Sequence, residues 1–220
     1  MTSRPPVSSA PAPAPAPAGA LAPPAPGFDE PVLDAADAFR ALLEATARPG
    51  APIALPGAPP APPPLGPGLG AVALTLIDPD APLWLDDDLR TPAVEAWLAF
   101  HCGVRPLTEP GTAAFAFAPI GRAAALLPRL CAGAPEYPDR AATLVLSVDG
   151  FEGGRPATLS GPGLKAPAAF APAGADVALW RALQANAARF PLGVDCLFIS
   201  ADALAGLPRS TRIAVDAEEG

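Results

Sequence analysis

The sequence predicts an α/β fold: a mixed β-sheet with helices on both of its faces. Three observations carry that prediction. Apolar runs of strand length (AVALTLID 71–78, AAFAFA 113–118, ATLVLSV 142–148, VDCLFIS 194–200) are interleaved with segments of helical period. Interleaving, rather than segregation, suits a sheet covered on both sides. The excess proline, 34 of 220 residues, is concentrated in Arg4–Pro26 and Ala51–Pro67. That leaves about 190 residues between Phe28 and Asp216, enough to bury a core.

Residues 1–27 read as a disordered Ala/Pro-rich tail, because proline at every second position favours extended polyproline II. Residues 28–220 read as one domain. The first helix is expected from about Asp34, a plausible N-cap, to Arg48, where Pro49-Gly50 stops it. Phe39, Leu42, Leu43 and Ala47, with Thr46 among them, form its expected inward face; Arg40, Glu44 and Arg48 form another stripe. A Pro/Gly loop runs to Gly70. AVALTLID then reads as a buried strand and PLWL (82–85) as a short extended piece. A helix over Pro92–Cys102 places Val94, Trp97, Leu98 and His101 near one face. In AAFAFA, Phe115 and Phe117 share a side. A short helix is expected over Gly121–Cys131, cut early by Pro128. ATLVLSV is the clearest strand, and PATLSG (156–161) returns from it as a hairpin. Asp176–Arg189 is helical with Val177, Trp180, Leu183 and Ala187 inward. VDCLFIS is a buried strand, Ala203–Leu207 a helical turn, and TRIAVD (211–216) a closing strand.

Charge excludes several functions. Fourteen Lys+Arg face 22 Asp+Glu, a net charge of −8, and no basic run exists. Nucleic acid and anionic membranes are therefore poor partners. The single histidine, His101, and three cysteines without C-x-x-C spacing argue against a zinc site or a disulfide scaffold, and suit reduced thiols in the cytoplasm. No apolar run approaches the ~20 residues that span a bilayer. Proline at every second residue near the start is incompatible with a signal peptide.

Few motifs point to chemistry. GPGLG (66–70) lacks the strand before it and helix after it that a dinucleotide fingerprint needs. Asp86-Asp87-Asp88 reads as a solvated turn, with no metal expected. Cys102 follows His101, but neighbours on a helix point about 100° apart and make no dyad. Lys165, the sole lysine, is the only possible Schiff-base residue, and no phosphate cradle accompanies it. The arginines are more informative, because a planar fork suits phosphate or carboxylate. Arg40 and Arg48 on the first helix, and Arg209 and Arg212 before the last strand, serve either an anion site or ion pairs and interfaces. Arg40, Arg48, His101 and Arg209 are the candidate anion-binding or interface residues.

Several stretches stand together in a familiar order: FRALLEATARPG (39–50), LWL (83–85), FH (100–101), APE (134–136), SGPG (160–163), FPLGVD (190–195) and LPRSTRIAV (207–215). Over Phe28–Asp216 the chain resembles the PhnH family of carbon–phosphorus lyase subunits. Ser210 stands where that family commonly has Thr. The resemblance implies a three-layer α/β/α sandwich with the fold of pyridoxal-phosphate-dependent transferases, without the cofactor. It further implies a cytoplasmic homodimer that joins the other core lyase subunits. These use ATP to attach phosphonate to ribose with release of adenine, forming ribose 1-methylphosphonate 5-triphosphate. The resemblance brings no catalytic residue with it, and predicts an exposed apolar patch for partners. Two alternatives stand beside it: an independent pyridoxal-phosphate enzyme built on Lys165, and a stand-alone phosphonate- or nucleotide-binding module.

Overall fold

A computed structural model describes residues 24–215. Four parallel strands form its centre: β2 (Leu83–Leu85), β3 (Phe115–Pro119), β4 (Thr143–Ser147) and β7 (Asp195–Ile199). Antiparallel β8 (Ala203–Leu207) joins β7, and β1 (Ile53–Ala54) joins β8, giving the order β1-β8-β7-β4-β3-β2. The starts of the central strands are in register, with Phe115 beside Thr143 and Thr143 beside Asp195. Alternation sends Phe117, Val145, Leu197 and Ile199 to one face, and Ala116, Leu144, Leu146 and Phe198 to the other.

Helices cover both faces. On the first lie α1 (Pro31–Ala47), α2 (Gly66–Leu76) and α3 (Pro92–His101); on the second lie α4 (Ala123–Leu126) and α5 (Val177–Ala187). The mixed sheet between helices is as the sequence predicts. α3 behaves as expected: Thr91 caps it, and Val94, Trp97 and Leu98 are fully buried. Asp176 caps α5 by accepting from the Leu179 N–H.

Five expectations are corrected. Residues 71–78 are not a strand: GPGLG opens α2, which continues through Leu76. An apolar run without periodicity fits a helix buried on nearly every side, and Gly68 and Gly70 let it in. A Cβ at Gly68 would lie 1.9 Å from the Ser200 carbonyl oxygen, and one at Gly70 2.5 Å from Ala61 Cβ. Residues 203–207 are a strand rather than a helical turn, because β7 offers them an edge. Residues 156–161 do not return on β4. Their strand, β5 (Ala157–Ser160), is the centre of a second sheet of order β6-β5-β9, with β6 (Ala168–Phe170) and β9 (Arg212–Ala214). Finally, α1 turns a different face inward. It buries Ala38, Ala41, Leu42 and Ala45, while Phe39 and Leu43 are exposed. Small residues face the sheet because β8 comes very close: a Cβ at Gly206 would lie 2.7 Å from the Ala45 carbonyl oxygen. The helix also starts earlier, at Pro31, and Asp34 accepts from the Glu30 N–H at 2.9 Å rather than acting as N-cap.

Of the predicted tail, residues 1–23 lie outside the described residues. Residues 24–27 are extended against α3: Trp97 Nε1 donates to the Pro26 carbonyl at 3.4 Å, and His101 Nε2 lies 2.9 Å from that of Ala25.

Candidate functional site

Where β3, β4 and β7 begin, the sheet stops short of the end of α1 and leaves a groove of ≈ 210 Å³. Phe39, Leu43 and Thr46 of α1 form one wall. Phe115, Thr143 and Asp195, the in-register first residues of three strands, form the floor, with Pro208 beside them. Its one charged lining residue is Asp195.

That carboxylate is held by Arg209, which follows β8. Arg209 Nη2 donates to Asp195 Oδ2 at 3.0 Å, and the Arg209 backbone N–H to Asp195 Oδ1 at 2.8 Å. Its Nη1 donates to the carbonyls of Pro138 and Gly193, each at 2.8 Å. The Arg209 side chain is only 16% exposed and that of Asp195 34%. With three of its five N–H donors fixed on protein acceptors, the guanidinium is a clamp between three segments.

Five of the seven stretches that carried the family resemblance meet here; LWL on β2 and FH at the end of α3 lie elsewhere. Arg209 of LPRSTRIAV holds FPLGVD, through Gly193 and Asp195, to the segment just after APE, through Pro138. The glycines of SGPG and RPG complete the joint. Gly163 (φ +83°) has Ala47 O and Pro49 so close that a Cβ would lie 2.5 Å and 2.7 Å from them. Gly50 (φ +73°) packs on Leu159, and Gly161 (φ +125°) on the Ser210 backbone. Among the described residues, the buried Thr211 hydroxyl next to Arg209 has no hydrogen-bond partner. Two exposed aromatics rim the joint: Tyr137, under the Arg140 guanidinium at 4.0 Å, and Phe190. Sequence reasoning missed Asp195, Tyr137 and Phe190. The one signal for Asp195 was its place at the end of FPLGVD.

The remaining candidates lie elsewhere and share no bond with Arg209 or with one another. Arg40 pairs with Asp37, and Arg48 with Glu44 at 3.0 Å, both on the solvent side of α1. His101 is half-buried, its ring 4.8 Å from that of Trp97 and 4.9 Å from that of Phe100. Lys165 is exposed on the loop between β5 and β6 and does not line the groove. Asp86 and Asp88 pair with Arg122. Cys196 lines the groove, but burial and the neighbouring Asp195 charge push its thiol well above the ordinary range; burial pushes Cys102 up to about 11. Both thiols stay protonated near neutral pH, and a protonated thiol is a poor nucleophile. Among the described residues no group of three or more His, Cys, Asp or Glu is placed to hold a metal ion, and no helix is long and apolar enough to cross a membrane. The arrangement is thus an apolar, aromatic-rimmed groove whose one charged lining residue is tied to Arg209.

The chain is 39% identical over 186 residues to "Alpha-D-ribose 1-methylphosphonate 5-triphosphate synthase subunit PhnH" of Rhizobium meliloti (strain 1021), covering 84% of this chain and 93% of that protein. It is 34% identical over 177 residues to "Putative C-P lyase subunit protein HtxG" of Stutzerimonas stutzeri, covering 80% and 84%. The profile of the family described as bacterial phosphonate metabolism protein (PhnH) matches residues 26–214, almost the whole described chain. The chain therefore belongs to the PhnH family of bacterial phosphonate metabolism proteins.

Proposed function

We propose that this chain is a subunit of the carbon–phosphorus lyase core complex, acting with partner subunits in phosphonate catabolism. In that assembly ATP supplies the ribose triphosphate: the phosphonate oxygen bonds to the ribose C1, adenine leaves, and ribose 1-methylphosphonate 5-triphosphate forms. The reading rests on one observation. Five of the seven stretches that carry the resemblance converge on the Arg209 clamp and the apolar groove, a structural joint beside an exposed surface. A subunit that contributes surface to an assembly needs such a joint, and Arg209 gives it a fixed shape. The same reading carries the expectations of a cytoplasmic homodimer and of a three-layer sandwich that resembles the fold of pyridoxal-phosphate-dependent transferases without their cofactor. No observation favours the Lys165 enzyme.

Affinity purification of the full chain, from cells grown on methylphosphonate as sole phosphorus source, tests this. Other lyase subunits should co-purify, and the chain alone should not release adenine from ATP and methylphosphonate. A chain that purifies alone from such cells, or that releases adenine unaided, would overturn the reading.

A further inference from the structure

We propose that α1 is a self-pairing helix, and that the chain dimerises by laying α1 antiparallel against α1 of a second copy. This deepens the homodimer reading above and rests on it; it names the surface and the geometry.

Two independent features of α1 point there. The first is an outward apolar seam. With Ala38, Ala41, Leu42 and Ala45 turned to the sheet, Val32, Ala36, Phe39 and Leu43 repeat at i, i+4, i+7 and i+11 on the outer side. That is the spacing of a helix–helix contact. Val32 is 82% exposed, Leu33 64%, Leu43 55% and Phe39 46%. These are among the largest exposed apolar side chains described, and they gather on one helix instead of being scattered. Phe39 and Leu43 also wall the groove, so a helix laid along the seam covers both.

The second feature is the order of charges. Asp29, Glu30, Asp34 and Asp37 lie before or within the first half of α1, and Arg40 and Arg48 lie in or just after the second, with only Glu44 against the trend. A parallel partner sets acid beside acid. An antiparallel partner sets the acidic half beside the arginines, and a two-fold axis across the helices imposes that reversal. One register satisfies both features. Setting Val32 opposite the partner's Leu43 also sets Ala36 opposite the partner's Phe39, small against large. Arg40 then falls within two residues of the partner's Asp37, and Arg48 within two of the partner's Asp29.

Sedimentation of the full chain over a range of concentrations, with two sets of variants, tests the inference. Wild type should be a dimer. Val32→Asp and Leu43→Asp should weaken it about 30-fold or more, because each sets a carboxylate into the apolar seam twice, once from each copy. Their circular dichroism should be unchanged, and their thermal midpoints should fall no further than loss of the dimer's mass-action stabilisation accounts for. Ala36→Cys, in a Cys131→Ser background, should cross-link to a covalent dimer with a short bismaleimide. A dimer that survives both aspartates and gives no cross-link overturns the α1 surface but leaves the homodimer reading standing. A wild-type monomer at every concentration overturns both. Aspartate variants that stay dimeric but lose co-purifying lyase subunits would assign α1 to a different partner and overturn the inference.

Discussion

Arg209 and the α1 pair Arg40 and Arg48 are the same side chain in two settings. Arg209 is mostly buried, and three of its five side-chain N–H donors are fixed on one carboxylate and two carbonyls from separate parts of the chain. Arg40 and Arg48 are 73% and 65% exposed, and each pairs with an acid within four residues on its own helix. Sequence treats the three alike, as anion or interface candidates. The difference teaches that an arginine's role follows from which acceptors the fold delivers to it. Desolvated acceptors from distant segments make it a joint. Local carboxylates in water leave it available for a partner.

The comparison breaks most visibly at Arg209→Ala. Removing it strands Asp195 and two carbonyls, and unfolding by denaturant should show a loss of about 3 kcal/mol, at the lower end for a buried pair because Asp195 reaches water. An effect under about 0.5 kcal/mol, the range of ordinary surface changes, would return Arg209 to the surface class. Arg209→Lys sharpens the point: charge stays but the fork is lost, so about 1–2 kcal/mol should go. Arg48→Ala and Arg40→Ala should each cost about 0–1 kcal/mol in the same melt. Smallest of all is the effect of salt. Raising sodium chloride from 0.1 to 1 M should abolish the difference between Arg48→Ala and wild type and leave the Arg209→Ala deficit almost intact, because exposed pairs are screened and buried ones are not. Equal salt sensitivity at the two sites would collapse the distinction.

Much of the fold was legible because local pattern and burial agreed. In β3, β4 and β7 the apolar runs are flanked by turns, and in α3 the period, the Thr91 cap and Pro92 point the same way. The misreadings share a physical cause. α2 is buried on almost every side, so its sequence carries no period that separates helix from strand. In residues 203–207, ALAGL, all but Gly206 are good helix formers, but the open edge of β7 outweighs their propensity. α1 carries two apolar stripes, and pattern alone does not say which meets the sheet; Gly206, far along the chain, decides for the alanines. The Arg209 clamp was invisible for a stronger reason. Its acceptors at Pro138 and Gly193 are backbone carbonyls, 71 and 16 residues away, and a carbonyl leaves no mark on residue type.

The strand order has a consequence for how the protein is made. β2, β3 and β4 leave the ribosome in the order in which they pair, yet β4 receives its other neighbour only when Asp195–Ile199 appears. At about 5–20 residues per second, the roughly 50 intervening residues hold that edge open for about 3–10 s. β5 waits longer still for Arg212–Ala214, and Ile53 for Leu204. Pairings of such long range close slowly. Until those partners appear the nascent chain therefore shows two naked strand edges, so its greatest exposure to aggregation, and its greatest need of a chaperone, precede the finished fold.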